Sequence, residues 1–227
     1  MTTTDQRDDE LATTRGGTAP RRGPAAALAI GALLVGAALS LHLRGGVDDV
    51  AFVRRVEDAP QTWLAGHVLM GLGGIVLMLG LLAVPSLVRD RGRRAVLVGT
   101  GLSAVGAASS ALGDFAHGSL AYVLVGEVPA EQSVEIQDQF FTTPLLAAAS
   151  MPGLLLPLGL LVIGAGLLYS RAVPLPVAVL LLVAPIAVQL GYTVTSLPMP
   201  LMVLPMVVGM GWLAMLLFRG TGTSQVG

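Results

Sequence analysis

Apolar residues come in six long runs along this chain, and the short segments between them carry nearly all of its charge. A helix needs about 20 predominantly apolar residues to cross a hydrocarbon core about 30 Å thick, because it rises about 1.5 Å per residue. On that measure the runs predict six spans, over 25–43, 63–87, 95–115, 144–169, 174–192 and 201–218. The fold class expected is an all-α polytopic membrane protein: a bundle of six transmembrane helices over 25–219, with polar tails at 1–24 and 220–227. The first tail has no apolar period and is expected to be disordered. It is long for a signal peptide, and the run behind it exceeds the 7–15 residues of a cleaved signal core, so span 1 is read as an uncleaved anchor.

Two connections have patterns of their own. After span 1, Asp48 or Asp49 can cap a short helix in which Val50, Val53 and Val56 share a side. This predicts a piece lying on the membrane surface, ended near Pro60, with Trp63 as an interfacial aromatic. After span 3, the segment 116–143 holds Glu127, Glu131, Glu135 and Asp138 and no base. Its second half predicts a helix starting at Pro129, and Phe140 and Phe141 bring the chain back to the interface.

Composition strengthens the membrane reading. The chain is 54% hydrophobic and 12% charged, against about 25% charged in soluble domains. Its formal net charge is −1, which gives no reason to expect a nucleic-acid partner, and it has no Cys, which excludes thiol catalysis and thiolate metal sites. All 13 basic residues are Arg. If the N-terminus is cytoplasmic, one side holds Arg7, Arg15, Arg21, Arg22, Arg89, Arg91, Arg93, Arg94, Arg171 and Arg219, and the other holds only Arg44, Arg54 and Arg55. The positive-inside rule then predicts a multi-pass membrane protein with both termini in the cytoplasm. Spans 4 to 6 and their turns hold nine of the 14 prolines. Kinked helices leave backbone groups in need of partners or a lined cavity, so a crevice between the two halves is expected.

The chemistry concentrates on span 3. Placed on a helix, Gly99, Ser103, Gly106, Ser110, Asp114 and His117 form one stripe. Its small members invite a neighbouring helix. Asp114 is the one acid near hydrocarbon depth, where an ionisable side chain is costly and hence a functional candidate. Topology brings His42 at the end of span 1, His67 near the start of span 2, and Asp114 with His117 to the outer ends of spans 1 to 3. Gln189 and Tyr192 lie at the same level on span 5 and are expected to bind a ligand. His67, Asp114 and His117 are the candidate catalytic residues, an acid with imidazoles to take or orient a proton. The same three are the candidate ligands of a divalent metal. Haem is disfavoured, because the two axial histidines it would want, His67 and His117, look unequal in height. The plainer reading makes all of these interfacial residues wetted by headgroups.

Other patterns read as packing or solvation. The glycines at 71, 73 and 74 and at 99, 101 and 106 lack the strand that precedes a nucleotide loop, so they are expected to serve close helix contact. The Met202, Met206, Met210 row is expected to be packing. The acidic segment lacks the spacing of a Ca²⁺ loop. No serine nucleophile motif, HExxH or aspartate-rich isoprenoid motif occurs.

The charged first outer loop, Trp63 and His67 entering span 2, the Arg89–Arg94 turn and the Gly/Ala-rich span 3 together resemble a broad group of uncharacterised six-span bacterial integral membrane proteins. That resemblance implies the topology and no particular chemistry. The leading functional expectation is a membrane protein that binds a small ligand, lipid or ion in an outward-facing polar pocket between spans 1, 2, 3 and 5. The alternatives are a membrane-embedded enzyme acting on a lipid or isoprenoid with Asp114 as general acid, and an accessory subunit whose small-residue faces bind a membrane-protein partner.

Overall fold

The computed structural model describes residues 21–41, 50–193 and 197–220. Six helices, each long and apolar enough to cross a membrane, dominate it, and no strand occurs among the described residues. The spans are α1 (Arg22–Leu41), α3 (Pro60–Leu81, continued by a 3₁₀ turn at Val84–Leu87), α4 (Arg93–Leu124), α7 (Leu155–Ser170), α8 (Leu175–Thr193) and α9 (Met199–Arg219). Two helices lie outside the spans, α2 (Val50–Asp58) and α5 (Ala130–Thr142), and α6 (Pro144–Ser150) forms the first part of span 4. A 3₁₀ turn at Met151–Leu154 joins α6 to α7, where Pro152-Gly153 interrupts the helix as the prolines require.

Each span packs on its neighbours in sequence, and α9 returns to close on α1. The result is a ring ordered α1, α3, α4, α7, α8, α9. Two seams are tight because glycine lets backbones meet. A Cβ at Gly31 would strike the Leu77 backbone, and one at Gly80 would strike the Leu28 backbone, which joins α1 to α3. Gly99 faces the Gly159 carbonyl at 2.7 Å from where its Cβ would stand, and Gly106 abuts the Leu156 backbone, which joins α4 to α7. Small residues at these crossings replace the hydrophobic drive that lipid cannot supply. The glycine clusters read from the sequence as contact surfaces are therefore contact surfaces, except Gly101, which faces open space.

The interior of the ring is filled at the end that carries the basic turn. Leu28, Leu77, Leu81, Val96, Ile163, Leu167, Val177, Leu181, Met210 and Leu213 are fully buried there. Met206 and Met210 belong to this core and Met202 packs against it, as expected of the row. Gly92, at φ 79, starts α4 in a left-handed conformation and lies against the Gly166 carbonyl, which pins the basic turn to the end of span 4.

Three expectations need correction. Span 3 does not end near residue 115: α4 runs on to Leu124, where Gly118 is buried against His67 of α3 and Ala121 against Trp63 of α3 and Phe52 and Val56 of α2. The short helix after span 1 turns its apolar side into the protein rather than leaving it free for lipid. It buries Phe52, Val53 and Val56, with Phe52 and Val56 in one cluster with Trp63 and Ala121. Trp63 is accordingly not an interfacial anchor: it is 1% exposed, inside the protein. The expected caps of α2, Asp48 or Asp49, lie outside the described residues.

Adding bulk at a backbone crossing should cost about 1–3 kcal/mol, the usual penalty of overpacking. Gly31→Val and Gly106→Val are expected to lower the midpoint of thermal unfolding in detergent, and Gly101→Val to leave it unchanged. Equal midpoints for all three would contradict the seams described.

Candidate functional site

The stripe on α4 changes its job along its length. Gly99, Ser103 and Gly106 are buried against α7, with the Ser103 hydroxyl donating to the Leu156 carbonyl at 3.4 Å. One turn later Ser109 donates to the Ala149 carbonyl across the broken part of span 4. From Ser110 onward the stripe faces a cavity of about 420 Å³. The opening coincides with the proline-rich stretches: Gly153, Pro157 and Pro185 are all in its wall. Span 4 breaks into a 3₁₀ turn there, and Pro185 lies inside α8.

All six spans line this cavity, along with Phe141 of α5. Val35 and Leu39 come from α1, Met70 and Gly74 from α3, and Met206 from α9. A hollow thus lies between the two halves, and it draws on all six spans, where the expected polar pocket drew on spans 1, 2, 3 and 5. Its polar groups are Ser110, Asp114 and His117 on α4 and Gln189 and Tyr192 on α8. Four of the five expected site residues therefore meet in one hollow. Asp114 is half-buried and is the only acid on the wall among the described residues. Among the described residues no hydrogen bond or ion pair reaches its carboxyl.

His67 is placed differently from expectation. It is 2% exposed and does not line the cavity. Its ring rests against Gly118, where a Cβ would collide with it, and its Nδ1 lies 3.0 Å from the Trp63 carbonyl oxygen. A carbonyl only accepts, so Nδ1 carries the proton of that bond. The His67 ring is 3.9 Å from the Trp63 ring and 5.2 Å from that of His117, edge to face. His117 in turn meets Trp63 at 5.1 Å and Phe141 at 4.7 Å. His67 therefore stands behind His117 and braces it, while His117 presents itself to the cavity beside Asp114.

This aromatic packing forms a roof. Phe52 of α2 lies edge-on to Trp63 at 5.2 Å. The Gln61 amide donates to the Tyr122 hydroxyl at 3.0 Å, and Arg54 approaches Glu131 at 3.8 Å, both largely exposed. Such an exposed pair contributes little, so the roof rests on its rings.

The cofactor expectations can be tested against this geometry. Among the described residues no group of three or more His, Cys, Asp or Glu side chains is placed to hold a metal ion, and His67 is turned toward Trp63 rather than toward Asp114. His42, the remaining histidine, lies outside the described residues. For haem, the argument from unequal heights fails, since the His67 and His117 rings are in contact. The contact itself is what disfavours haem, because edge-to-face rings leave no slab between them for a macrocycle.

Sequence reasoning missed Gly118, Ser110 and Phe141 as parts of this site. Ser110 was visible as a stripe member. Gly118 and Phe141 gave no signal, since nothing in a linear pattern says which ring a glycine will seat. No family model matches the chain, and no curated protein or solved structure matches it either.

Gly118→Ala should push the His67 ring off its seat and disturb the Trp63 environment. On a Trp212→Phe background, Trp63 emission is expected to shift and thermal unfolding to move down by a few degrees. Gly113→Ala, whose new Cβ meets only Ser150 at 3.6 Å, is expected to leave both unchanged.

Proposed function

We propose that this chain is a multi-pass protein of a bacterial cytoplasmic membrane, with both termini inside, that holds a small amphiphile in a pocket facing the outer side. The observation that carries the reading is the hollow at the ring's far end from the arginine turn, with Asp114 and His117 side by side on an otherwise largely apolar wall. Its size falls within the ≈ 300–1,000 Å³ range of small-molecule sites, which combine apolar walls with a few convergent polar groups. The arginine asymmetry supports the orientation. The carboxyl of Asp114 would take a hydrogen-bond-donating or cationic head, Gln189 and Tyr192 would flank it, and the apolar body would lie against Val35, Leu39 and Met206.

The pairing of an acid and an imidazole one turn apart on the same wall also favours a second reading, acid–base chemistry on a lipid or isoprenoid. In it Asp114 is the acid and His117, braced by His67, the orienter.

Dodecylamine binding, read as adduct occupancy by native mass spectrometry of protein released from bilayer discs, tests the first reading. One molecule is expected on the wild type. Asp114→Asn should weaken it by about tenfold, worth ~1.4 kcal/mol, and Val188→Phe, which fills the hollow, should abolish it. No binding to the wild type, or equal binding by all three, would sink it. Turnover of a lipid that Asp114→Asn eliminates would instead establish the second.

A further inference from the structure

The cavity has a mouth, and its position says where a ligand comes from. Of the residues on its wall, three are exposed: Pro157 on α7, and Gln189 and Tyr192 on α8. The wall contributed by α1 and α9 is buried. The hollow therefore opens between span 4 and span 5. The cause lies in how span 4 is broken. Below the break α7 packs along α8, whereas α6 and the Met151–Leu154 turn pack on α4 and, among the described residues, hardly touch α8. α6 buries no residue at all.

Both flanks of the seam present apolar side chains outward. Met151 and Leu154 are 67% and 70% exposed on one side, and Ile186 and Leu190 are 55% and 47% exposed on the other. Such a surface suits lipid tails and repels water. On the α4 side the cavity's upper wall is closed by rings: His117 and Phe141 meet edge to face, with Trp63 and His67 packed behind His117.

We propose that the seam between the broken half of span 4 and α8 is a lateral portal, and that the ligand is a membrane-resident amphiphile. It enters sideways from the bilayer between Pro157 and Gln189, head toward Asp114 and His117. The portal deepens the pocket reading above and rests on it for the ligand's existence, though not for the route.

The chain has no Cys, so Ser110→Cys places a single thiol on the cavity wall. The full-length protein is put into vesicles of phosphatidylethanolamine and phosphatidylglycerol. Its thiol is treated either with lipid-soluble N-dodecylmaleimide or with a membrane-impermeant sulfonated methanethiosulfonate present on both sides. Rates are referred to Gln132→Cys, an exposed position on α5. The lipid-soluble reagent is expected to be favoured at Ser110→Cys by about tenfold or more. Adding Gln189→Trp at the mouth should slow it by a similar factor, and Leu204→Trp, exposed on α9 and away from both the cavity wall and the seam, should not. Val188→Cys repeats the measurement should Ser110→Cys fail to fold. A sulfonated reagent that keeps pace, or indifference to Gln189→Trp, overturns the portal. Dodecylamine that binds while the thiol is reached from water keeps the pocket and removes the portal. A lipid-side route with no dodecylamine binding does the reverse.

Discussion

Inside a bilayer, lipid tails satisfy an apolar helix face as well as another helix does, so the hydrophobic effect does not press spans together. What remains is contact at the level of the backbone, and this ring depends on it. α1 meets α3 where Gly31 and Gly80 have no side chain, and α4 meets α7 where Gly99, Gly106 and Gly159 have none. These seams bring many atom pairs to van der Waals distance, each weak and together large. They also bind the spans in the order in which the chain makes them, so that α9 comes round to α1.

The cavity is the counterpart of that closeness. Where α4 carries glycine opposite an unbroken α7, the two helices touch. Where span 4 reaches Pro152 and Gly153, regular helix gives way to a 3₁₀ turn, and span 4 stays on α4 but, among the described residues, hardly touches α8. The stripe that seals the lower half of the ring therefore lines a hollow in its upper half, with no change of face. A carboxyl on the same stripe one turn beyond Ser110 is thereby held at the wall of a protein-lined space instead of against lipid, which is where an ionisable group at that depth is tolerated.

The roof gives the hollow its asymmetry. His117 meets Trp63, His67 and Phe141 edge to face, an arrangement that aromatic rings prefer and that adds to their burial, and the His67 and Trp63 rings lie tilted on each other. It depends on Gly118, since any side chain there would unseat His67. With one end of the ring filled by leucine, valine and methionine and the other covered by rings, the weakest wall is the one beside α8. The two histidines share one cluster with different duties: one is a brace, the other faces the space.

The number of spans, their approximate bounds, the arginine asymmetry and the small-residue stripe were legible in the sequence, because bilayer thickness and helical periodicity act on each segment by itself. Asp114, His117, Gln189 and Tyr192 could be put at one level by counting residues along alternating spans, and the cavity does gather them. Residue counting could not say that His67 turns away toward Trp63, that Trp63 is buried, or that α4 continues to Leu124. Those outcomes depend on which glycine on one helix faces which ring on another, and that pairing exists only once the ring has closed. One dimension was enough for the spans and the depth of each group; the hollow, its roof and its open side came from contacts between segments far apart in the chain, whose geometry no local pattern encodes.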